Sequence, residues 1–335
     1  MTRLSRTLLG AALVAGALAS APTARAAEPD KLLPAESDLV AVVNLKQILD
    51  SEIVKKYALE QIKQTLDGQD AKKLLTDLGL DPLKDVDTIT AASMETKFGN
   101  QAEAKYILIV HGKFDAEKMY KTAEAASKTN GDKFQMVKDG TTVMFKVQPD
   151  NGQPPMYATV VNDKTVVAAS EKKLITAALA ADAAGKPAPL KKELADLLKK
   201  ADDKASVVAV SLLKGKLDEV KLPGGGNLPV KLDKFEKVLP AMEAVTVTVK
   251  IGADINLDVV IGMKDEDSAG DMRNALDDLM KQVKPLAQFA GAADPRLKPL
   301  TGILDSVKTG SKNKDVTVSG KVAGADIGKI INPEN

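Results

Sequence analysis

The chain has no cysteine and no tryptophan, a single histidine, four tyrosines and six phenylalanines in 335 residues. Without cysteine there is no disulfide, no thiolate metal site and no thiol for a lipid anchor, so packed cores alone must hold the fold. One histidine, His111, cannot build a multi-histidine metal site. Carbohydrate-binding surfaces and interface hot spots rely on Trp and Tyr, so a sugar-binding module is disfavoured. Arginine is nearly missing too. Beyond residue 26 only Arg273 and Arg296 occur, and lysine carries the remaining positive charge. Bidentate recognition of phosphate recruits arginine, whereas lysine is a hydrated point charge suited to a solvated surface. No excess of one sign exists either, with 47 basic and 46 acidic residues. A balanced, interspersed surface sets up no long-range field for nucleic acid or anionic lipid.

What is present first is an address. Met1 to Ala26 has Arg3 and Arg6, the apolar run Leu8 to Ala19, and the small-residue ending Ala24-Arg25-Ala26. This pattern predicts a signal peptide over 1–26, cleaved before Ala27. Its apolar run is about twelve residues, too short to span a bilayer as a helix, so no transmembrane anchor is expected after cleavage. The predicted location is periplasmic or extracellular.

The remaining chain is long enough for two ordinary cores. Leu39-Val40-Ala41-Val42-Val43 reads as a strand buried on both faces. Asp50 or Ser51 can cap a following helix, on which Val54, Tyr57, Ala58, Ile62 and Leu66 share a face. A second helix near 71–78 stops at Gly79, and Asp81-Pro82 turns into a strand near 86–93. Tyr106 to Val110 is the next strand, and a helix begins at Asp115. Asp139-Gly140 and Asn162-Asp163 each separate a pair of strands as hairpins. Ser170 is a candidate helix cap, and another helix is expected near 190–200. From Ala205 the order begins again: Val207 to Val210, a short helix, a turn at Pro223 to Gly226, then alternating strands at Val245 to Ile251 and Ile255 to Ile261. A long helix after Asp265 contains Pro285, a potential kink, and a strand at Val316 to Val322 leads into a last short helix. The fold class expected is α+β, as two similar units related by duplication, over 27–202 and 203–335. Each unit is expected to be an antiparallel sheet packed by helices on one face.

No motif assembles a reactive centre. Asp265-Glu266-Asp267 with Gly270 and Asp271 approaches a calcium loop, but Ala269 and Leu276 stand at ligand positions, so the acids read as the start of a helix. Ser-x-x-Lys occurs at Ser170/Lys173, Ser211/Lys214 and Ser311/Lys314, with Lys308-Thr309-Gly310 nearby. The only Ser-x-Asn follows that tripeptide, the reverse of the penicillin-binding order. Gly224 to Gly226 lacks a third glycine for a dinucleotide loop, and Gly324 to Lys329 has the wrong spacing for a phosphate loop. The reading therefore places no catalytic, cofactor-binding or metal-ligating residue and expects no cofactor.

The segment Leu33-Pro34-Ala35-Glu36-Ser37-Asp38-Leu39-Val40, with Leu45 to Ser51, resembles the opening of a group of uncharacterised exported bacterial proteins of planctomycete type. Gly79 to Val86 is similar to that group's turn before its second strand, and Lys113 to Lys118 to its strand-to-helix step. The resemblance implies an exported α+β protein and carries no site residues. Three functions stand: a non-enzymatic exported protein binding an envelope or extracellular macromolecule or serving an envelope-associated structural role; a carrier of lipid or another apolar ligand, whose cavity Met242, Met263, Met272 and Met280 could line, although methionines more often simply fill a core; and a hydrolase using an unidentified carboxylate pair or a Ser-Lys dyad.

Overall fold

In the computed structural model the described residues are 29–94, 105–129, 131, 133–148, 154–185, 189–218, 220, 230–294 and 297–331. The expected signal peptide over 1–26 and the expected turn at 223–226 lie outside them. The chain begins with β1 (Ser37–Asn44), α1 (Leu45–Asp50), a π-helical turn (Val54–Ala58), α2 (Leu59–Leu66), α3 (Gln69–Leu78) and α4 (Pro82–Asp85). Next come β2 (Val86–Met94), β3 (Lys105–Gly112), α5 (Ala116–Thr129) and the strands β4 (Phe134–Asp139), β5 (Thr142–Val147), β6 (Met156–Asn162) and β7 (Thr165–Ala169). Helices α6 (Lys172–Ala183) and α7 (Lys192–Lys200) precede β8 (Val207–Leu212), α8 (Asp233–Val238), β9 (Met242–Ile251) and β10 (Ile255–Met263). The chain continues with α9 (Glu266–Ala293), α10 (Lys298–Ser306), β11 (Lys308–Lys312), β12 (Asp315–Val322) and α11 (Gly324–Ile331).

The twelve strands join in one sheet of order β11-β12-β10-β9-β8-β1-β2-β3-β7-β6-β5-β4. Every neighbouring pair is antiparallel. Outward from the β1–β8 seam one side runs β1, β2, β3, β7, β6 and the other β8, β9, β10, β12, β11. The hairpin partners β5 and β4 extend the first side only. Strands of both expected units thus share one sheet, with Val40 opposite Val210 and both fully buried. The reason lies in composition: β1 and β8 are continuous apolar runs, unsuited to an exposed edge, and each gains a partner on its open side.

Alternation decides which helix covers which face. Val40, Ile107, Ile109, Val167 and Val210 share a core with Ile175 of α6 and Leu194 and Leu198 of α7. Thr246 lies opposite Val210, which places Val245 on the reverse face. There Ile261, Met263 and Val316 pack with Ala269 and Met272 of α9. In the first half, Met144 joins the α6/α7 core, while its neighbour Phe145 points the other way and packs with Ala123 of α5.

Local signals act as the physics requires, with two differences. The Asp265 carboxylate accepts the Ser268 N–H at 2.8 Å, so the acids there do start a helix. Gly79 closes α3 at φ 66°, in the left-handed region. Ser170 does not cap α6: Glu171 holds that position, and the Ser170 hydroxyl instead accepts the Tyr106 N–H at 3.1 Å, fastening β3 to the turn after β7. The helix expected through Val54 and Leu66 is interrupted by the π-helical turn, whose first N–H, that of Val54, is accepted by Ser51 Oγ at 3.3 Å. Among the described residues no helix is long and apolar enough to cross a membrane.

Candidate functional site

The alternation of β1, β2, β3 and β7 lays two cross-strand rows on the α6/α7 face of the sheet. Val208, Val42, Thr90, Ile109 and Val167 stand side by side in one. One step towards the sheet end, Asn44, Thr88, His111 and Thr165 form the other. The first row is mostly apolar, the second entirely polar. Leu198 and Ala201 at the end of α7, with Asp202, Asp203 and Ala205 just beyond, stand over this floor. A strap of residues 29–33 closes a third side through Pro29, Asp30 and Leu33. The half-open cavity measures about 370 Å³ and is walled chiefly by carbon.

The strap is pinned at one point. Asp30 Oδ2 lies 2.5 Å from His111 Nε2, and Asp30 Oδ1 accepts the Leu32 N–H at 3.0 Å. His111 Nδ1 lies 3.2 Å from Thr165 Oγ1, so both ring nitrogens are engaged. Leu32 and Leu33 are buried, which anchors the strap in the main core. His111 reaches its position because β3 ends tightly: a Cβ on Gly112 would lie 1.9 Å from the Asp85 carbonyl oxygen, so only glycine lets α4 close on this strand. At the lip, Asp202 pairs with Lys250 at 2.5 Å and accepts the Lys204 N–H at 2.9 Å. These contacts, Lys250 first, hold its carboxyl below the usual range.

The hydrogen bond to the Asp30 carboxylate raises His111 above the ordinary imidazole value, against the opposing effect of burial. A raised imidazole holds its carboxylate most strongly below its ordinary value and loses that hold as pH rises through the raised one. Amide-exchange protection at Leu32 and Leu33, corrected for intrinsic rates, is therefore expected to fall as the solution is taken from acidic to alkaline. His111→Gln is expected to remove that dependence; equal pH profiles for variant and parent would disprove the pinning role.

The Asp30–His111–Thr165 chain has the constituents of an acyl-transfer relay without its geometry. Thr165 is buried, and its strand is bonded to β3 on one side and β6 on the other. Its hydroxyl is engaged by the neighbouring imidazole, and its strand's ladder partners on both sides take up N–H groups that an oxyanion would need. The serine–lysine pairs are not brought together as dyads. Lys214 pairs with Glu243 at 3.3 Å while the Ser211 hydroxyl is buried without a hydrogen-bond partner. Lys314 donates to the Lys264 carbonyl oxygen. Among the described residues no group of three or more His, Asp or Glu is placed to hold a metal ion.

The methionines weighed as a cavity lining fill a core, the alternative the sequence favours for them. Met242, Met263 and Met272 are sealed in the core beneath α9, on the reverse face of the sheet, and Met280 is half-buried along the same helix. They sit where β9, β10 and α9 converge, and their flexible side chains fill that core. The cavity's own residues had faint signals: Thr88 and Thr90 alternate within β2, but Asp30 carries no motif at all. A second, more open groove of about 490 Å³ between α2, α3 and α4 is rimmed by charges such as Lys72 and Asp67, which pair with each other at 2.9 Å. No family model, curated protein or solved structure matches the chain.

Proposed function

We propose that the chain is an exported, non-enzymatic binding protein for a small amphipathic ligand, held between the sheet and α7. The observation that carries this reading is the paired floor of the cavity. Val42 and Val208 offer an apolar bed broken only by Thr90, and the Asn44–Thr88–His111 row gathers hydrogen-bonding groups towards one end. A concave, mostly apolar site with a few convergent polar groups is the arrangement by which proteins orient small ligands. Its volume suits a short acyl chain or a compact ring system with one polar end and is too small for a whole two-chain lipid. The leader supports this reading from the sequence side, since ligand capture outside the cytoplasm requires export.

The test uses the purified protein and a fluorescent apolar probe such as 1-N-phenylnaphthylamine, displaced by short fatty acids, fatty amines and aromatic acids. Saturable, competable binding is expected. Val42→Trp, which fills the space above β1, is expected to weaken binding tenfold or more while leaving the thermal midpoint within a few degrees. The absence of saturable binding across that panel, with no small molecule retained by the native protein in mass spectrometry, would remove the proposal.

A further inference from the structure

Thr90 carries a hydroxyl for which the protein supplies no partner. The residue is 5% exposed and stands between Val42 and Ile109 in the apolar row of the cavity floor. Valine has nearly the same shape and would keep those three positions all carbon. The other buried threonines are served from within: Thr159 donates to the Val143 carbonyl oxygen at 2.8 Å, and Thr165 Oγ1 lies 3.2 Å from His111 Nδ1. The buried Ser37, Ser51 and Ser206 are bonded likewise. Among the described residues nothing bonds the Thr90 side chain. Neither is it walled off. The one hydroxyl sealed without a partner among those residues is Ser211 Oγ, opposite Val245 and so on the reverse face. Thr90 instead opens into the cavity that it helps to floor. Unpaired polar groups buried against carbon destabilise a fold and are rare, so this one marks where a ligand's polar atom belongs.

The next residue on the same face of β2 is Thr88, in the polar row, and its hydroxyl has no partner among the described residues either. Two residues of strand set the two hydroxyls about 7 Å apart. Their neighbours have less to give. Asn44 Oδ1 accepts the Gln47 N–H and its Nδ2 donates to Gln47 Oε1, while both nitrogens of His111 are engaged. The free hydrogen-bonding capacity of the floor is therefore concentrated in the two β2 threonines. The floor crosses β8, β1 and β2, about 10 Å, and runs from Val40 to Asn44, about 13 Å along β1. Those proportions describe a plate and not a tunnel.

Resting on the binding role proposed above, we infer that the cavity selects a flat ring with hydrogen-bonding groups at two opposite ends. Thr88 meets one group and Thr90 the other, deeper one, which makes Thr90 the specificity-determining residue. A para-substituted benzene ring holds two such groups at close to the spacing of the threonines. A hydroxyl both donates and accepts, so Thr90 takes a ligand hydroxyl, carbonyl or amide. A plain acyl chain, or a ring lacking the second group, buries Thr90 against carbon and is penalised for it.

The test displaces the same fluorescent probe with two matched pairs: tyramine against phenethylamine, and para-hydroxyphenylpropionic acid against phenylpropionic acid. Within each pair only the far hydroxyl differs, whatever the charge of the head. The parent protein is expected to bind the hydroxylated member about fivefold more tightly, the order of one neutral hydrogen bond. Thr90→Val is expected to erase that preference by weakening the hydroxylated member alone. Without ligand, Thr90→Val is expected to hold or raise the thermal midpoint, whereas Thr159→Val, which loses a bond within the protein, lowers it. Equal affinities within both pairs, unchanged in Thr90→Val, overturn the inference in favour of a bound water and leave the cavity reading standing. A midpoint lowered in Thr90→Val as far as in Thr159→Val also overturns it, since the hydroxyl would then have a partner in the protein. A probe displaced by fatty acids but by neither ring pair removes the ring ligand alone; a probe that never binds saturably removes both proposals.

Discussion

Val210→Asp is expected to unfold the whole chain, not the half that carries it. Val210 is fully buried, opposite Val40, in a core that draws Ile107, Ile109, Val167, Ile175 and Leu194 from one side of the seam and Val208 and Leu212 from the other. A carboxylate placed there meets mostly carbon, with only the Thr246 hydroxyl across the strand pair, and the cost of burying it, or of opening the structure to hydrate it, is about 4 kcal/mol or more. Whole domains are stable by only about 5–15 kcal/mol, so a loss of this size unfolds the chain outright near the lower end of that range and lowers its melting point sharply elsewhere. The informative reading is the number of transitions. A core shared across the seam requires the parent to melt in a single calorimetric step, and the variant to lose strand and helix signal together. Two steps in the parent, with only one displaced by Val210→Asp, would instead establish 27–202 and 203–335 as separate folding units.

That outcome bears on what the sequence could and could not reveal. Local chemistry was legible wherever a few neighbours settle it. Asp139-Gly140 and Asn162-Asp163 mark the two hairpins, whose turns lie one residue on at 140–141 and 163–164, Gly79 ends a helix and Asp265 begins one, because each depends on residues within one turn of itself. The strand at Lys308–Lys312 was not legible, since Lys-Thr-Gly-Ser-Lys has neither an apolar alternation nor strong strand propensity. It is a strand because β12 offers it an edge, and its lysines suit that edge position. The joining of both sets of strands was hidden for a related reason. An apolar run such as Leu39 to Val43 announces that it needs neighbours on both sides but does not name them.

The site was still less legible. Asp30 and His111 are 81 residues apart, and neither has a sequence signature that points to the other. Their meeting depends on the β3 register and on the buried pair Leu32 and Leu33, which bring the strap across the sheet end. A cavity is likewise a property of what fails to fill a space, and composition records only what is present. The methionines illustrate the converse. Residues suited to lining a pocket were read as candidates for one, while the fold used their adaptability to complete a core beneath α9.

The second large effect is expected at Asp38, the second residue of β1, which is nearly buried. Lys191, just before α7, reaches it at 2.5 Å, and Lys216, after β8, at 2.7 Å. One carboxylate thus ties the helix over the cavity to the strand on the far side of the seam. Asp38→Ala leaves Lys216, with its side chain only 20% exposed, without a counter-charge, whereas Lys191 can turn to solvent. Stranding a buried ammonium is costly, and with one lysine able to escape the loss is expected to be about 3 kcal/mol in urea unfolding at neutral pH. Burial alone would raise the Asp38 carboxyl, but the two lysines outweigh it and hold it below its ordinary value. Its contribution is therefore complete above the ordinary carboxylate range and is lost as the pH falls through the depressed value. The stability gap between parent and Asp38→Ala should accordingly close in strong acid; a gap of the same size there would show that the loss comes from packing. Adding Lys216→Met to Asp38→Ala removes the stranded charge while keeping a long apolar side chain. This double variant is expected to regain part of the lost stability, a recovery that a purely steric role for Asp38 would not produce.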